Sequence, residues 1–263
     1  FECPHLCCQK QIDGFSYDQI EEECPHCGNK VFLTDMLGFH LDMLEDSAPE
    51  AIASSYMLIT EHLMLFTAIR LLWNYSDKSV LDDTLFIKDG PLSLRSQYSK
   101  LVENIRSFLE YAKNKNRPIY IIGQEKSGVF VEHLSSIARY ISPKEQGDLS
   151  SYSVLTHGFV HKDVYRTPNV TTSYGKRTNW GEKVYFKYDP STFMVLNIPV
   201  GLYKDGPNFP KYSDVIGLDR ILATIPSLIS YQYPGGLYPI ELANGIASLS
   251  SYPSAKILER FME

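Results

Sequence analysis

All five cysteines of the chain lie within its first 27 residues, and the rest of the 263-residue sequence contains none. A secreted protein that is stabilised by disulfides carries cysteines throughout its fold. The clustering therefore predicts a reducing compartment, the cytoplasm, and a local metal site. We expect residues 1–33 to form a small zinc ribbon, since thiolates are ligands that zinc prefers.

The second half of this motif is regular. Cys24 and Cys27 are three positions apart on a predicted tight turn, so both thiolates can bind one zinc ion. Gly28 follows them and permits the left-handed backbone conformation that such a turn needs.

The first half leaves a choice of ligands. Cys3 is followed by two neighbouring thiols, Cys7 and Cys8, and we favour Cys8 because it gives a slightly longer turn. Cys7 is the alternative, and His5 and His26 are further candidates. Four thiolates would leave no open coordination position, so the ion would be structural. The other interpretation is a metal-free thiol cluster.

The composition limits the class of protein. Hydrophobic residues make up 44% and charged residues 21%, which is typical of a soluble folded chain and excludes extensive disorder. The net charge of −6 argues against tight, autonomous binding of DNA. Glu61 and Arg70 interrupt the longest apolar region, so we predict no membrane partner. Because Phe1 is neither Met nor the start of a signal peptide, we expect the chain to be part of a longer protein.

Hydrophobic patterning predicts an α/β core beyond the ribbon, in residues 34–263. The predicted helices cover residues 50–74, 97–114, 129–141, 214–229, 238–249 and 254–262. The predicted strands cover residues 85–87, 119–122, 183–188 and 192–198. The alternation of strand and helix after residue 85 indicates at least one parallel pair of strands. The helix at 50–74 is apolar on nearly all sides, so we expect it to be buried, and residues 142–181 read as a long loop or insertion.

Two acidic residues are candidates for a divalent metal site. Asp89 follows a short apolar strand and precedes a Gly-Pro turn, at the edge where open α/β sheets bind ligands. Glu61 lies on a largely apolar helix face, where an ionised carboxylate needs a partner or a metal ion. An ordinary turn at Asp89 and a structural ion pair at Glu61 are the alternative interpretations.

Further candidates lie later in the chain. Lys126 follows the second strand in a Gly-Gln-Glu-Lys-Ser-Gly turn that is not a P-loop, and it could hold a phosphate or simply lie on the surface. Tyr238 and Asn244, at the start of a helix, could face one site or serve capping and packing. One basic, aromatic stretch could bind a single strand or be a solvated loop. It comprises His157, His161, Lys162, Tyr165, Arg166, Tyr174, Lys176, Arg177, Trp180 and Lys183.

Taken in order, these motifs resemble the NurA nuclease family, more closely its bacterial branch with an inserted zinc ribbon. The resemblance rests on residues 24–27, 33–40, 61–63, 88–92, 123–128 and 238–244. It implies an RNase H-like core and a nuclease that uses Mn²⁺ or Mg²⁺ to degrade DNA. It also implies a homodimer that docks on a hexameric HerA-type ATPase, which moves DNA to it in repair or antiviral defence.

The resemblance assigns roles to five residues. Glu61 and Asp89 would be metal ligands, Lys126 a phosphate contact, and Tyr238 and Asn244 active-site neighbours. Two departures weaken the case for cleavage. The first catalytic Asp of the family has no counterpart before Glu61 and is expected upstream of Phe1, and Asn244 replaces a His of the archaeal relatives. A catalytically silent scaffold that binds the motor is therefore the second hypothesis, and a zinc-ribbon adaptor without a nuclease core is the third.

Overall fold

The computed structural model describes most of the chain and shows a mixed α/β protein. The described residues are 1–14, 19–42, 48–95, 98–140, 153–156, 177–189, 191–202, 214–230, 232 and 235–247. They form two compact units. The first contains residues 1–75 and 94–101, and the second contains residues 76–93 and the described residues from 102 onward.

The first unit begins with the cysteine-rich ribbon. Strands β1 (Glu21–Glu23) and β2 (Lys30–Phe32) form an antiparallel hairpin. A 3-10 helix (Leu33–Leu37), a short helix α1 (Phe39–Asp42) and the long helix α2 (Ala48–Asn74) follow. The long helix thus lies where the sequence predicts it, and the division into a zinc ribbon at 1–33 and a core at 34–263 stays a prediction.

Helix α2 is less buried than expected. One stripe is buried, at Ala51, Ser55, Ile59, His62 and Ile69. The apolar side chains on its other sides are largely exposed, at Tyr56, Met57, Leu63, Met64 and Leu71. The prediction that this helix is buried was wrong. Apolar residues on all sides of a helix do not show on how many of those sides another part of the protein packs against it.

Helix α2 also has a property that bears on membranes. From Glu50 to Asn74 it is long and apolar enough to cross a bilayer, by length and composition alone. Core helices of soluble proteins pass the same test. The expectation that the protein has no membrane partner stays a prediction.

The second unit is built on a five-stranded sheet. Its strands are β3 (Leu85–Asp89), β4 (Tyr120–Glu125), β5 (Ser153–Thr156), β6 (Gly181–Lys187) and β7 (Phe193–Pro199). The spatial order is β3-β4-β7-β6-β5. Strands β3 and β4 are parallel, as predicted, and the other neighbours are antiparallel.

The second unit contains several short helices. They are α3 (Ser79–Asp82), α5 (Val129–Ile137) with a 3-10 turn (Ala138–Tyr140), and α6 (Leu218–Thr224) with a 3-10 turn (Ile225–Leu228). Helix α4 (Ser99–Asn114) starts among residues assigned to the first unit and continues among those of the second, and residues 238–247 form the final described helix, α7.

Both faces of the sheet carry apolar side chains. On one face, residues of β4, β6 and β7 pack with α6, and the cluster includes Ile122, Phe186, Leu196, Ile198 and Ile221. On the other face, Tyr185 and Val195 pack against Phe130 and Leu134 of α5. Alternate residues of β6 and β7 face these two clusters, as the two-residue period of a strand requires.

The structure differs from the sequence predictions at two segments, and a third predicted segment is not among the described residues. Residues 142–181 are not wholly a loop, since Ser153–Thr156 form the edge strand β5. The helix predicted at 214–229 begins only at Leu218, after Gly217 with a φ of 68°. The helix predicted at 254–262 lies outside the described residues.

Candidate functional site

Four cysteine thiols converge in the ribbon. The Sγ atoms of Cys3 and Cys27 are 3.9 Å apart, those of Cys8 and Cys24 are 3.8 Å apart, and all four lie within 4.8 Å of one another. Zinc–sulfur bonds of about 2.3 Å in a tetrahedron give sulfur–sulfur separations of about 3.8 Å. The donor set and its spacing therefore fit a zinc ion, and these four cysteines could hold one.

The neighbouring candidates take other roles. Cys7 is exposed and lies outside the cluster. The Nε2 atom of His5 lies 2.7 Å from the carbonyl oxygen of Lys30, and that of His26 lies 3.1 Å from the carbonyl oxygen of Gln11. Each histidine thus links its own turn to a backbone carbonyl in another segment of the ribbon.

The thiols differ in acidity. Burial raises the pKa of Cys3 to about 12. At Cys24 burial also opposes ionisation, but hydrogen bonds from the backbone of His26 and Cys27 outweigh it and lower the pKa to about 6. The ribbon therefore favours ionisation of Cys24 over that of Cys3, and a bound metal ion would stabilise the remaining thiolates.

In the second unit, two charged side chains meet at the ends of the parallel strands. Asp89 is the last residue of β3, and Lys126 follows the last residue of β4. The Lys126 Nζ atom is 2.9 Å from Asp89 Oδ2, and both side chains remain about half exposed. Parallel strands end at the same edge of a sheet, so this geometry follows directly from the pairing of β3 with β4.

The turn after Asp89 is held closely against β4. The Gly90 amide donates to the Gln124 carbonyl at 2.8 Å, with a φ of 91° at Gly90. A Cβ atom on Gly123 would lie 2.5 Å from the carbonyl oxygen of Gly90, and one on Gly181 would lie 2.9 Å from the side chain of Leu92. Glycine at these two strand positions thus allows the Asp-Gly-Pro-Leu turn to lie where it does.

A cavity of about 680 Å³ opens beside Lys126. Strand β7, helix α5 and helix α7 contribute its walls. Its polar lining includes Glu125, Ser135, Ser191, Glu241 and Asn244. Gln124 of β4 links the segment before α7 to the sheet, because its Nε2 atom donates a hydrogen bond to the carbonyl of Gly235.

The two glutamates of the cavity differ in their surroundings. Glu125 accepts hydrogen bonds from the buried Lys183 and, at 2.8 Å, from Asn197. Lys183 also lies 4.3 Å from the centre of the Phe130 ring. Glu241 is half-buried, and its Oε1 atom is buried without a hydrogen-bond partner among the described residues.

Glu241 is a residue that sequence reasoning missed. It lies within the Tyr238 to Asn244 stretch, three positions from each end, so helical spacing makes it a neighbour of each of them on the helix surface. Asn244 and Glu241 line the cavity, whereas Tyr238 begins the helix with 59% of its surface exposed and is not part of the lining. The sequence held one signal for Glu241: it lies three positions before Asn244, a spacing that places both side chains on the same side of a helix.

Strand β6 buries a second group of charges. Burial raises the pKa of Glu182 to about 8, and the charges of Arg106 and Lys183 offset this only in part. Burial likewise lowers the pKa of Arg106 to about 10. The Arg106 guanidinium also donates to the Asn179 carbonyl.

The remaining predicted residues are placed as follows. Glu61 lies half-buried on α2 of the first unit, and its pairing with Asp89 of the second unit stays a prediction. Among the described residues, only the four cysteines bring three or more metal-ligating side chains together. Of the basic, aromatic stretch, Arg177, Trp180 and Lys183 are described, and Trp180 and Lys183 are buried. The other members lie outside the described residues.

The site therefore consists of the Asp89–Lys126 pair, the adjoining cavity and, separately, the cysteine cluster. Each arises from local geometry: two parallel strand ends, the approach of α7 to β7, and two cysteine turns. Comparisons with known protein families, characterised proteins and solved structures gave no significant match to this chain.

Proposed function

We propose that this chain is a metal-dependent DNA nuclease subunit of the NurA type, with an RNase H-like core. The observation that carries the proposal is the meeting of Asp89 and Lys126, 2.9 Å apart at the ends of two parallel strands. Metal-dependent hydrolysis of a phosphodiester uses carboxylates to hold the metal ion, and a neighbouring lysine can bind a phosphate oxygen. The neighbouring cavity gives room for a substrate.

The donor chemistry fits Mg²⁺ or Mn²⁺. Mg²⁺ is commonly held by one or two carboxylates and keeps several waters. Asp89 is about half exposed on a rigid strand end and can supply one carboxylate, and Glu61 is the proposed second. When bound, the ion would lower the pKa of a water molecule and neutralise charge on the leaving oxygen.

The chain's own residues would orient the substrate. Lys126 would bind a phosphate oxygen next to Asp89, since its ammonium group has three donors and uses one on Asp89. Asn244 would position the strand through its amide, because an amide cannot take up a proton as a histidine would.

We propose the same partners as the resemblance implies: DNA, a second copy of the chain and a hexameric HerA-type ATPase in the cytoplasm. The net charge of −6 agrees with such an arrangement, because the motor would supply much of the grip on DNA. The pathway would be DNA end processing or antiviral defence.

A matched pair of substitutions tests the proposal. Asp89 and Asp83 are exposed aspartates of the same unit, and each pairs with a basic side chain, Lys126 and Arg220 respectively. Asp89→Asn should abolish Mn²⁺-dependent cleavage of plasmid and linear DNA, with or without the ATPase, while Asp83→Asn should leave it intact. Equal activity of the two variants would refute the assignment.

A second candidate function is a silent nuclease-like scaffold for the motor. It is favoured by the absence of a cluster of three acidic metal ligands among the described residues. This hypothesis expects the wild-type chain to bind the ATPase without cutting DNA at any Mn²⁺ concentration.

A further inference from the structure

The cavity beside Lys126 combines apolar walls with a few polar groups. Val131, Leu134, Phe193 and Met194 supply the apolar part, from helix α5 and strand β7. The volume of about 680 Å³ lies within the range of small-molecule sites. Such walls suit a planar aromatic group that leaves water, as an unstacked base does.

Lys126 and Glu125 lie side by side in the lining of this space. Lys126 lines the cavity and keeps donors beyond the one that contacts Asp89. A phosphate at Lys126 and a base between the apolar walls would match a single nucleotide. The carboxylate of Glu125 is already engaged by Lys183 and Asn197, so it adds little free acceptor capacity.

Glu241 specifies what the base must offer. Its Oε1 atom is buried and meets no donor within the described part of the chain. A carboxylate oxygen in this position costs free energy unless a donor reaches it. A donor reaches this oxygen once the Glu241 side chain turns toward the cavity that it lines, and a ligand that presents N–H groups there would stabilise that conformation.

Among the four DNA bases, guanine offers two adjacent N–H donors on one edge, the ring N1–H and the 2-amino group. A carboxylate can accept two parallel hydrogen bonds. Thymine offers one ring N–H between two carbonyl oxygens, which a carboxylate would repel.

We infer that this cavity binds the terminal nucleotide of a DNA strand, with its phosphate on Lys126 and with Glu241 selecting guanine. The inference rests on the proposed nuclease function and adds a substrate: a strand end whose last base is unstacked. It names Glu241 as a residue that determines specificity.

Binding of mononucleotides to the full chain, measured by calorimetry without divalent ions, tests this directly. Wild-type protein should bind dGMP at least tenfold more tightly than dIMP, which lacks the 2-amino group, and more tightly still than dTMP. Glu241→Gln should weaken dGMP binding roughly tenfold or more and reduce the preference over dIMP. Glu132→Gln, the same change at an exposed position of α5, should have no effect.

A second variant does not depend on the carboxylate. Gly245 lines the cavity, and a Cβ atom there would meet nothing within 4 Å, so we expect Gly245→Leu to place an apolar side chain in the cavity. Leucine also favours a helix more than glycine does. It should fold with an unchanged melting temperature or a higher one, and it should lose dGMP binding.

The outcomes separate this inference from the proposed function. Equal affinities for the three nucleotides, or unchanged dGMP binding in Glu241→Gln and Gly245→Leu, would overturn the nucleotide site even if Mn²⁺-dependent cleavage depends on Asp89. Guanine-selective binding by a chain that never cuts DNA would support the site and reject the nuclease. Loss of cleavage in Glu241→Gln with dGMP binding intact would overturn base selection by this residue.

Discussion

The ammonium group of Lys126 lies 2.9 Å from Oδ2 of Asp89, so strands β3 and β4 end on an ion pair. Both side chains are about half exposed, and a pair of this kind stabilises a fold by about 1 kcal/mol or less. The pair is therefore dispensable for folding. Its value in our proposal is positional, because it holds one carboxylate and one ammonium group beside the cavity.

Replacing Lys126 tests this separation of stability from activity. Lys126→Met should change the free energy of unfolding by about 1 kcal/mol or less, as urea titration would measure. The rate of Mn²⁺-dependent cleavage should fall about a hundredfold, since a fixed positive charge near the phosphate is lost. Lys126→Arg keeps that charge and should retain most of the activity. A Met variant that cuts at the wild-type rate would exclude Lys126 from the site.

Gly123 offers a test of the turn that carries Asp89. Gly123→Ala places a methyl group 2.5 Å from the Gly90 carbonyl oxygen and 3.0 Å from the Leu92 side chain. The turn must move, so we expect a loss of about 1–3 kcal/mol in the free energy of unfolding and a reduced rate of cleavage.

Gly245→Ala is the matched control, because its new methyl group meets nothing within 4 Å. This change in helix α7 should stabilise the protein by about 0.5–1 kcal/mol. Thermal unfolding of the two variants would contradict our account if both shifted in the same direction.

Much of the second unit could be predicted from the sequence. Strands β3 and β4 are apolar runs that end at glycine-containing turns, and these signals placed both correctly. Strand β5 was missed because Ser153–Thr156 lies in a polar region, and its partner β6 defines it. Pairing across distant segments leaves little local signal.

The site was predictable only in part. Asp89 and Lys126 could be named from the strand ends, but their contact depends on a register that pairs Asp89 with Gln124. Glu241 lines the cavity because α7 lies near β7 in the fold, and a local sequence pattern does not predict that long-range proximity. The relation of Glu61 to Asp89 stays a prediction.

The cysteine cluster makes a prediction that distinguishes neighbouring thiols. Cys7→Ser should leave about one equivalent of zinc bound, because Cys7 is exposed and outside the cluster. Cys24→Ser removes a buried ligand and should release the metal and lower the melting temperature of the first unit. Atomic absorption and thermal unfolding measure the two effects. Less than half an equivalent of zinc in the wild-type chain would reject the site.

Buried Glu182 predicts how stability changes with pH. Burial raises its pKa in the folded state to about 8 from an ordinary value of 4.5, because the charges of Arg106 and Lys183 only partly compensate. Between these two values the folded state binds more protons than the unfolded state. The free energy of unfolding should therefore fall as pH rises from about 4.5 to about 8, and this contribution should level off above that.

Glu182→Gln keeps the shape of the side chain and removes the titration. We expect the variant to lose less stability than the wild type between pH 5 and pH 8, as urea unfolding at a series of pH values would show. Asp83→Asn provides the control, because Asp83 is an exposed aspartate in an ion pair with Arg220. Parallel pH profiles for wild type and Glu182→Gln would mean that Glu182 ionises in the folded protein as readily as in the unfolded chain. Arg106 and Lys183 would then compensate fully for its burial.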